Sequence, residues 1–287
     1  MAMDFTTEIT DAVVESFAGT PDPRLRELLG ALTRHLHAFV RETRPAMEEW
    51  ESAIAFLTET GRMCTDTRQE FILLSDVLGV SMLVETLNGH DDPGATESTV
   101  LGPFHLTRSP VRELGESIDL VGTGEPCVVS GRVLSRDGTP LPGAVLDVWQ
   151  ADGEGFYDVQ RPDLQPPGNG RGLFTTDTEG RFRFRTCVPS PYPIPVDGPV
   201  GALLGATGRH PWRPAHIHFI ASAEGHAPVT THIFVAGSPY LDSDAVFAVK
   251  RSLVQDFAET DDPSLAREFG VANPFRHARF DLVLEPV

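Results

Sequence analysis

The sequence predicts a mostly β protein with an α-helical N-terminal region, a β-sandwich preceded by amphipathic helices. Three observations carry this. Up to about residue 95 the apolar residues recur at helical spacing. From about residue 96 they come in short runs, several strictly alternating, separated by long Gly/Pro-rich segments. The composition, 287 residues with 40% hydrophobic and 22% charged, is that of a chain able to bury a large core without disulfides. The organisation read from this is a helical region at 1–95 and a sandwich domain at 96–287.

Asp22 is placed to cap a helix with Pro23 in its first turn. Leu25, Leu28, Leu29, Leu32, Leu36, Phe39 and Val40 then line one stripe. Pro45 opens a second helix bearing Trp50, Ile54 and Leu57. Thr67-Arg68-Gln69-Glu70 is a capping-box pattern before a third, expected from Phe71 to about Leu87 and stopped by Gly89. Such helices could form a cap, a bundle or a subunit interface. Strands are expected at Cys127–Leu134 and Ala144–Gln150, with a turn at Asp137-Gly138 between them. Further strands are expected around Arg181–Arg185, where Phe alternates with Arg, and at Ala215–Ser222, Thr230–Val235 and Phe280–Leu284. The loops 151–171 and 188–214 are long enough to suggest function. A late helix is expected from Asp244 to about Phe257.

Lys and Arg number 23 against 41 Asp and Glu, a formal charge of −18, which disfavours nucleic-acid binding. No apolar run approaches the roughly 18 residues of a membrane span. The N-terminal Met1-Ala2-Met3-Asp4-Phe5 lacks signal-peptide character. Three widely spaced cysteines (Cys64, Cys127, Cys187) fit a reducing, cytoplasmic location.

His216 and His218 lie two apart in an expected strand, so both imidazoles face one side and can reach one point. His35 and His37 share the spacing on a helix, where they diverge by about 200°, and are set aside. The strand pair is either two hydrogen-bonded histidines or two metal ligands. The chain uses 17 Phe but only 3 Tyr, so each phenol invites a reason. Tyr157 lies just past a strand end in Gly155-Phe156-Tyr157-Asp158. Tyr192 lies among four prolines in Pro189-Ser190-Pro191-Tyr192-Pro193-Ile194-Pro195, a stiff setting. Each is either a packed loop tyrosine or an oxygen ligand; Tyr240 is read as packing. If the two Tyr and two His met on one metal, charge would select Fe(III). Keeping a phenol of pKa near 10 ionised at pH 7 costs about 4 kcal/mol, which a trivalent cation recovers more readily than a soft divalent one. Two phenolates, two neutral imidazoles and a hydroxide would leave such a centre neutral.

Three motifs in order, Leu141-Pro142-Gly143-Ala144-Val145-Leu146-Asp147-Val148-Trp149-Gln150-Ala151-Asp152 running into Gly155-Phe156-Tyr157, then Pro191-Tyr192-Pro193-Ile194-Pro195, then Arg213-Pro214-Ala215-His216-Ile217-His218-Phe219, carry a family pattern. The chain resembles the intradiol ring-cleaving dioxygenases, non-haem Fe(III) enzymes that cleave catechols with O2. The resemblance implies that Tyr157, Tyr192, His216 and His218 are the Fe(3+) ligands, and that Tyr192 leaves on substrate binding and takes up a substrate proton. It implies that Arg213 stabilises negative charge on the ring. His232 stands where many catechol-cleaving members have Gln. With Val100-Leu101-Gly102-Pro103-Phe104 and Leu241-Asp242-Ser243-Asp244-Ala245-Val246-Phe247, it resembles the branch acting on hydroxyquinol (benzene-1,2,4-triol), which yields 3-hydroxy-cis,cis-muconate and thence maleylacetate. That branch implies a pocket wall of Leu73, Asp76, Val100, Leu101, Gly102, Pro103, Phe104, Ile194, Pro195 and Val246, with Asp76 meeting the third ring hydroxyl. It further implies a homodimer through the helices at 22–88, with a phospholipid bound there, and no organic cofactor. Catechol or chlorocatechol cleavage is the alternative within the family. A non-catalytic transthyretin-like binding module, suggested by residues 128–148 alone, is the alternative of another class.

Overall fold

The computed structural model describes residues 8–65, 68–89, 94–105 and 109–287. The chain forms two compact units, Met1–Glu59 and Thr60–Val287. The first is helical, with α1 (Ile9–Ser16), α2 (Pro23–Thr43) and most of α3 (Met47–Arg62). Asp22 caps α2 as expected, its Oδ1 accepting from the amides of Arg24 at 2.8 Å and Leu25 at 3.3 Å. Thr10 of α1 meets His37 of α2 at 3.0 Å, so this histidine serves helix packing. The apolar stripe of α2 is exposed, from Leu25 (45%) to Phe39 (59%).

The second unit corrects three expectations. The helix foreseen over 71–87 is two, α4 (Glu70–Val77) and α5 (Val80–Asn88). Gly79 sits between them at φ +72°, left-handed backbone that ends a helix, and its amide bonds the Asp76 carbonyl at 2.9 Å. Thr67 of the capping-box pattern lies outside the described residues. Its partner Glu70 does not cap the helix; its carboxylate accepts from Arg68 at 2.9 Å and from the Val200 amide at 3.3 Å. The late helix is absent: after Asp244 the chain turns, with Phe247 at φ +59°, and goes on through a 3-10 turn at Arg251–Leu253 into a short strand at Val254–Gln255. Asp244 bonds its own following amides, Val246 and Ala248, at 3.3 and 3.1 Å, a local alternative that competes with helix formation. The next helix along the chain is α7 (Pro263–Phe269), capped by Asp262.

Two five-stranded sheets enclose the main core. One contains β1 (Pro126–Ser135), β4 (Arg181–Cys187), β10 (Ala258–Thr260), β11 (Phe275–Arg279) and β12 (Leu282–Leu284). Here β1 pairs antiparallel with β4, and in parallel with β11 along its first half and β12 along its second. The alternation expected at 181–185 holds, with Phe182 and Phe184 buried and Arg181 and Arg183 exposed. The other sheet has the order β3 (Arg171–Thr175), β2 (Val145–Gln150), β7 (His216–Ser222), β8 (Val229–Val235), β9 (Val254–Gln255). Between the sheets lie Val129, Val133, Leu146, Val148, Phe182, Phe184, Ile217, Phe219 and Ile233. The second sheet is buried on its other face too, beneath α4, α6 (Pro199–Ala206) and the segments around 100 and 246. That double burial explains the near-continuous apolar runs of β7 and β8. The expected loop 188–214 holds α6 and a two-stranded ribbon, β5 (Tyr192–Pro193) with β6 (Trp212–Arg213).

Candidate metal centre

The outer face of the second sheet carries the candidate chemistry. Period-two alternation sends Ile217 and Phe219 into the core and His216 and His218 to the other side. Register places His232 opposite His218 and Phe234 opposite His216 on β8, and Trp149 opposite His218 on β2. The ligand atoms of His216, His218 and His232 lie within 4.8 Å of one another, the one such group of three found among the described residues.

The tautomer of His216 follows from its partners. Its Nδ1 lies 2.7 Å from the Pro214 carbonyl, which only accepts, so the proton is on Nδ1 and the Nε2 lone pair points into the cluster. That Nε2 lies 3.2 Å from His218 Nε2 and 3.2 Å from Arg213 Nη1. Burial holds all three imidazoles well below the usual histidine range, and the nearby Arg213 adds to this. They are therefore neutral, the form that ligates metal.

The tyrosines arrive from two loops. Tyr192 lies on β5 in register with Arg213, and this ribbon runs straight into β7. Tyr192 and His216 ring centroids are 5.4 Å apart, and Tyr157 meets Tyr192 edge-on at 5.4 Å. Gly155 makes that approach feasible: at φ +86°, a Cβ there would stand 3.0 Å from the Pro191 carbonyl and 3.3 Å from Tyr192 Cβ. All four side chains singled out from the sequence are thus gathered and buried, each 1–2% exposed.

Several buried atoms of this cluster lack hydrogen-bond partners: His218 Nδ1, His232 Nε2 and Trp149 Nε1, while the Tyr157 phenol faces that of Tyr192. An unmet buried donor or acceptor costs about 1–3 kcal/mol. Burial pushes the Tyr157 phenol well above its usual range, Tyr192 adding to the effect and Arg213 and Arg171 opposing it. Phenol oxygens and neutral imidazoles gathered in one buried place fit a strongly charged cation, whose field offsets the cost of ionising the phenols. The donor set of hard oxygens and imidazole nitrogens suits iron.

Around this cluster the side chains are locked. Trp149 stacks on His218 at 4.5 Å and 13°, and Phe104 on Tyr157 at 4.5 Å and 24°. His232 bonds Thr99 through Nδ1, leaving Nε2 toward the cluster. Arg213, 1% exposed, pairs with Asp244 at 3.1 Å. Arg171, also 1% exposed, donates to Asp158 at 2.9 and 2.8 Å and to the Phe104 carbonyl at 2.8 Å. Asp158, Arg171, Asp244, Thr99 and Trp149 were not among the residues picked from sequence. Asp158 and Asp244 do follow or sit inside recognisable motifs, and a buried arginine demands a carboxylate, but pairs 13 and 31 residues apart become visible only in the fold.

Of the expected pocket wall, Leu73, Val100, Ile194 and Val246 share one buried cluster with Phe234, which stacks against His232. Gly102, at φ +76°, lies so close that a Cβ would stand 3.0 Å from His218 Cε1. Asp76 is 2% exposed, so it does not face solvent; burial pushes its carboxyl up, with Ser81 and Arg213 opposing. Pro103 and Pro195 are half-buried, and Leu101 is 42% exposed.

Residues 102–286 match the family described as Dioxygenase, and residues 22–96 the catechol dioxygenase N terminus. The chain is 53% identical over 263 residues to a hydroxyquinol 1,2-dioxygenase of Rhizobium sp. (strain MTP-10005), covering 92% of this chain and 89% of that one. It is 50% identical over 267 residues to a 6-chlorohydroxyquinol 1,2-dioxygenase of Cupriavidus pinatubonensis, covering 93% and 96%. The crystal structure of hydroxyquinol 1,2-dioxygenase from Pseudomonas putida DLL-E4 superposes with a TM-score of 0.91 at 46% identity over 99% of both chains. The chain belongs to the intradiol dioxygenase family and is an enzyme. The binding-module alternative is thereby set aside. No helix among the described residues is long and apolar enough to cross a membrane.

Proposed function

We propose that this enzyme cleaves hydroxyquinol with O2 between its adjacent hydroxylated carbons. The ring C–C bond breaks, both oxygen atoms enter the product, and 3-hydroxy-cis,cis-muconate forms, in equilibrium with maleylacetate. The observation that carries this reading is the buried convergence of Tyr157, Tyr192, His216 and His218, each 1–2% exposed, with Tyr157 in ring contact with Tyr192 and Tyr192 with His216. Relatives at 50% identity or above that are named for hydroxyquinol or its chloro derivative support the substrate class.

In this reading Tyr157, Tyr192, His216 and His218 hold Fe(III). Once bound, iron supplies a Lewis acid that eases ionisation of the diol and an electron acceptor that opens the ring to triplet O2. The remaining work falls to the chain. Tyr157 is the fixed phenol, stacked under Phe104 and anchored through its neighbour Asp158. Tyr192, on a ribbon only two residues long, gives way to substrate, and its Oη takes up a ring-hydroxyl proton. Arg213 holds its charge toward the ring as negative character builds. His232 presents Nε2 to the same space. Leu73, Val100, Gly102, Pro103, Phe104, Ile194, Pro195 and Val246 shape a dry wall, Leu101 lies at its outer edge, and Asp76 meets the third ring hydroxyl. The third ring hydroxyl gives that buried carboxyl a partner beyond Ser81 which catechol lacks, and so favours hydroxyquinol.

Oxygen uptake by the iron-loaded enzyme on hydroxyquinol, catechol and 4-chlorocatechol tests this. Hydroxyquinol is expected to be fastest, with one O2 consumed per ring. Faster turnover of catechol refutes the substrate assignment, and no uptake on any ring refutes the reaction.

Residues 1–95 serve dimerisation and 96–287 catalysis in this reading, in a cytoplasmic homodimer whose helices at 22–88 pair across a two-fold axis. The exposed stripe of Leu25, Leu28, Leu32, Leu36 and Phe39 supports that role and offers room for a phospholipid chain. Light scattering should give twice the chain mass of 31.2 kDa, and organic extraction should release lipid. A monomer mass refutes the dimer, and a lipid-free extract refutes the bound phospholipid.

A further inference from the structure

We infer that Asp244 is a positioning residue: its carboxylate aims the Arg213 guanidinium at the Tyr/His cluster and ties that aim to the pocket-wall residue Val246. This rests on the reading of Arg213 as the cation of the site.

A guanidinium is planar, so fixing two of its nitrogens fixes the third. Asp244 takes one edge of the fork, Oδ1 accepting from Nε at 3.1 Å and Oδ2 from Nη2 at 3.4 Å. The remaining nitrogen, Nη1, then lies 3.2 Å from His216 Nε2. Both side chains are 2% exposed, so water does not compete for this geometry.

The carboxylate is itself pinned. Oδ1 also accepts from the Val246 amide at 3.3 Å and Oδ2 from the Ala248 amide at 3.1 Å, so each oxygen takes two donors. The neighbouring Ala245 amide bonds the Trp212 carbonyl at 3.1 Å, fastening this turn to the residue before Arg213. Phe247 holds φ +59°, a conformation rare for a side chain of this size. Val246 belongs to the buried cluster with Leu73, Val100 and Ile194. One carboxylate therefore sets both the direction of the cation and the place of the apolar wall. A shift of the turn would move the two together.

The test uses the full-length, iron-loaded enzyme and a mutant cycle. For Asp244→Asn, kcat on hydroxyquinol should fall roughly 10- to 100-fold, with KM changed less than about threefold. Iron content and the visible phenolate-to-iron band should match wild type, because the four ligands are untouched. The double variant Asp244→Asn/Arg213→Ala should lose far less than the product of the two single losses, because Asp244 acts on the cation through that arginine and only its smaller hold on the Val246 turn remains to be lost. Arg213→Lys should fall close to the level of Arg213→Ala, because an ammonium keeps the charge but cannot take the two-point grip. If Asp244→Asn does not fold, the Arg213→Lys arm decides.

Losses that multiply in the double variant overturn the inference, as does an Arg213→Lys enzyme within about threefold of wild type. Loss of iron or of the band in Asp244→Asn overturns it too, by making Asp244 a brace for the ligands. Wild-type turnover is measured alongside, and its absence would refute the proposed reaction instead. An Arg213→Ala enzyme as fast as wild type would refute the role of Arg213.

Discussion

Replacing Arg171 by Met tests whether the phenol-bearing loop is held by one buried ion pair. Arg171 is 1% exposed and gives Asp158 two hydrogen bonds, at 2.9 and 2.8 Å, and the Phe104 carbonyl one, at 2.8 Å. The Met side chain fills much of the same space but leaves Asp158, 5% exposed, an uncompensated buried charge with only amide donors such as Gly168 at 2.9 Å. Breaking such a pair from one side costs about 3–5 kcal/mol. For a domain of this size each kcal/mol moves the melting temperature by about 2–4 °C, so a fall of about 6–20 °C is expected. Asp158→Asn should cost a similar amount by stranding the guanidinium. The double variant removes both charges and should recover at least half of either loss. Scanning calorimetry of the three variants reads this directly. A melting point for Arg171→Met within about 3 °C of wild type, or a double variant as unstable as the two losses added, would refute the reasoning. Phe104 stacks on Tyr157, so the single variants should also bind iron more weakly.

Other predictions rest on separate features. Gly102→Ala combines left-handed backbone with a Cβ 3.0 Å from His218; it should cost about 2–4 kcal/mol and weaken iron binding, measured by melting and iron titration, and unchanged values would contradict the close approach. His277 is held at a pKa of about 4 by burial and by nearby Arg279, against an unfolded value of about 6.5. The unfolded chain therefore binds an extra proton as pH falls from about 6.5 through 4, and stability should drop by up to about 1.4 kcal/mol per unit across that window. His277→Asn should flatten that part of the urea-denaturation profile. The Asp76 carboxyl is raised by burial, so its ionisation opposes folding as pH climbs above its unfolded value near 4. Asp76→Asn should melt higher than wild type at pH 7, with a smaller gain at pH 4, and should lose the preference for hydroxyquinol over catechol in oxygen uptake.

Much of this was legible in the chain because local rules decide it. The i, i+2 histidines, the Phe/Arg alternation at 181–185 and the Asp22-Pro23 start each depend on neighbours within a few residues, and each is found in the fold. The discounting of His35 and His37 rested on helix geometry, and His37 is seen in helix packing. What was misread depends on competition between local and distant partners. Gly79 falls inside the single helix expected over 71–87, yet its left-handed backbone separates α4 from α5. The 244–257 segment has helical spacing, yet the Asp244 carboxylate bonds its own turn and an arginine 31 residues away. The strands β3 and β11 and helix α6 are short, and their apolar signal is broken by Gly, Arg or Pro. The buried pairs around the rings were invisible because no sequence pattern links Arg171 to Asp158 or His232 to Thr99.

The central claim is that Tyr157, Tyr192, His216 and His218 grip one ferric ion. An anomalous-difference map from crystals of the iron-loaded enzyme, recorded at the iron absorption edge, tests it most directly. One strong peak per chain, within coordination distance of both phenol oxygens and both Nε2 atoms, is the expected result. No peak, or a peak bound by His216, His218 and His232 with the tyrosines turned away, would contradict it.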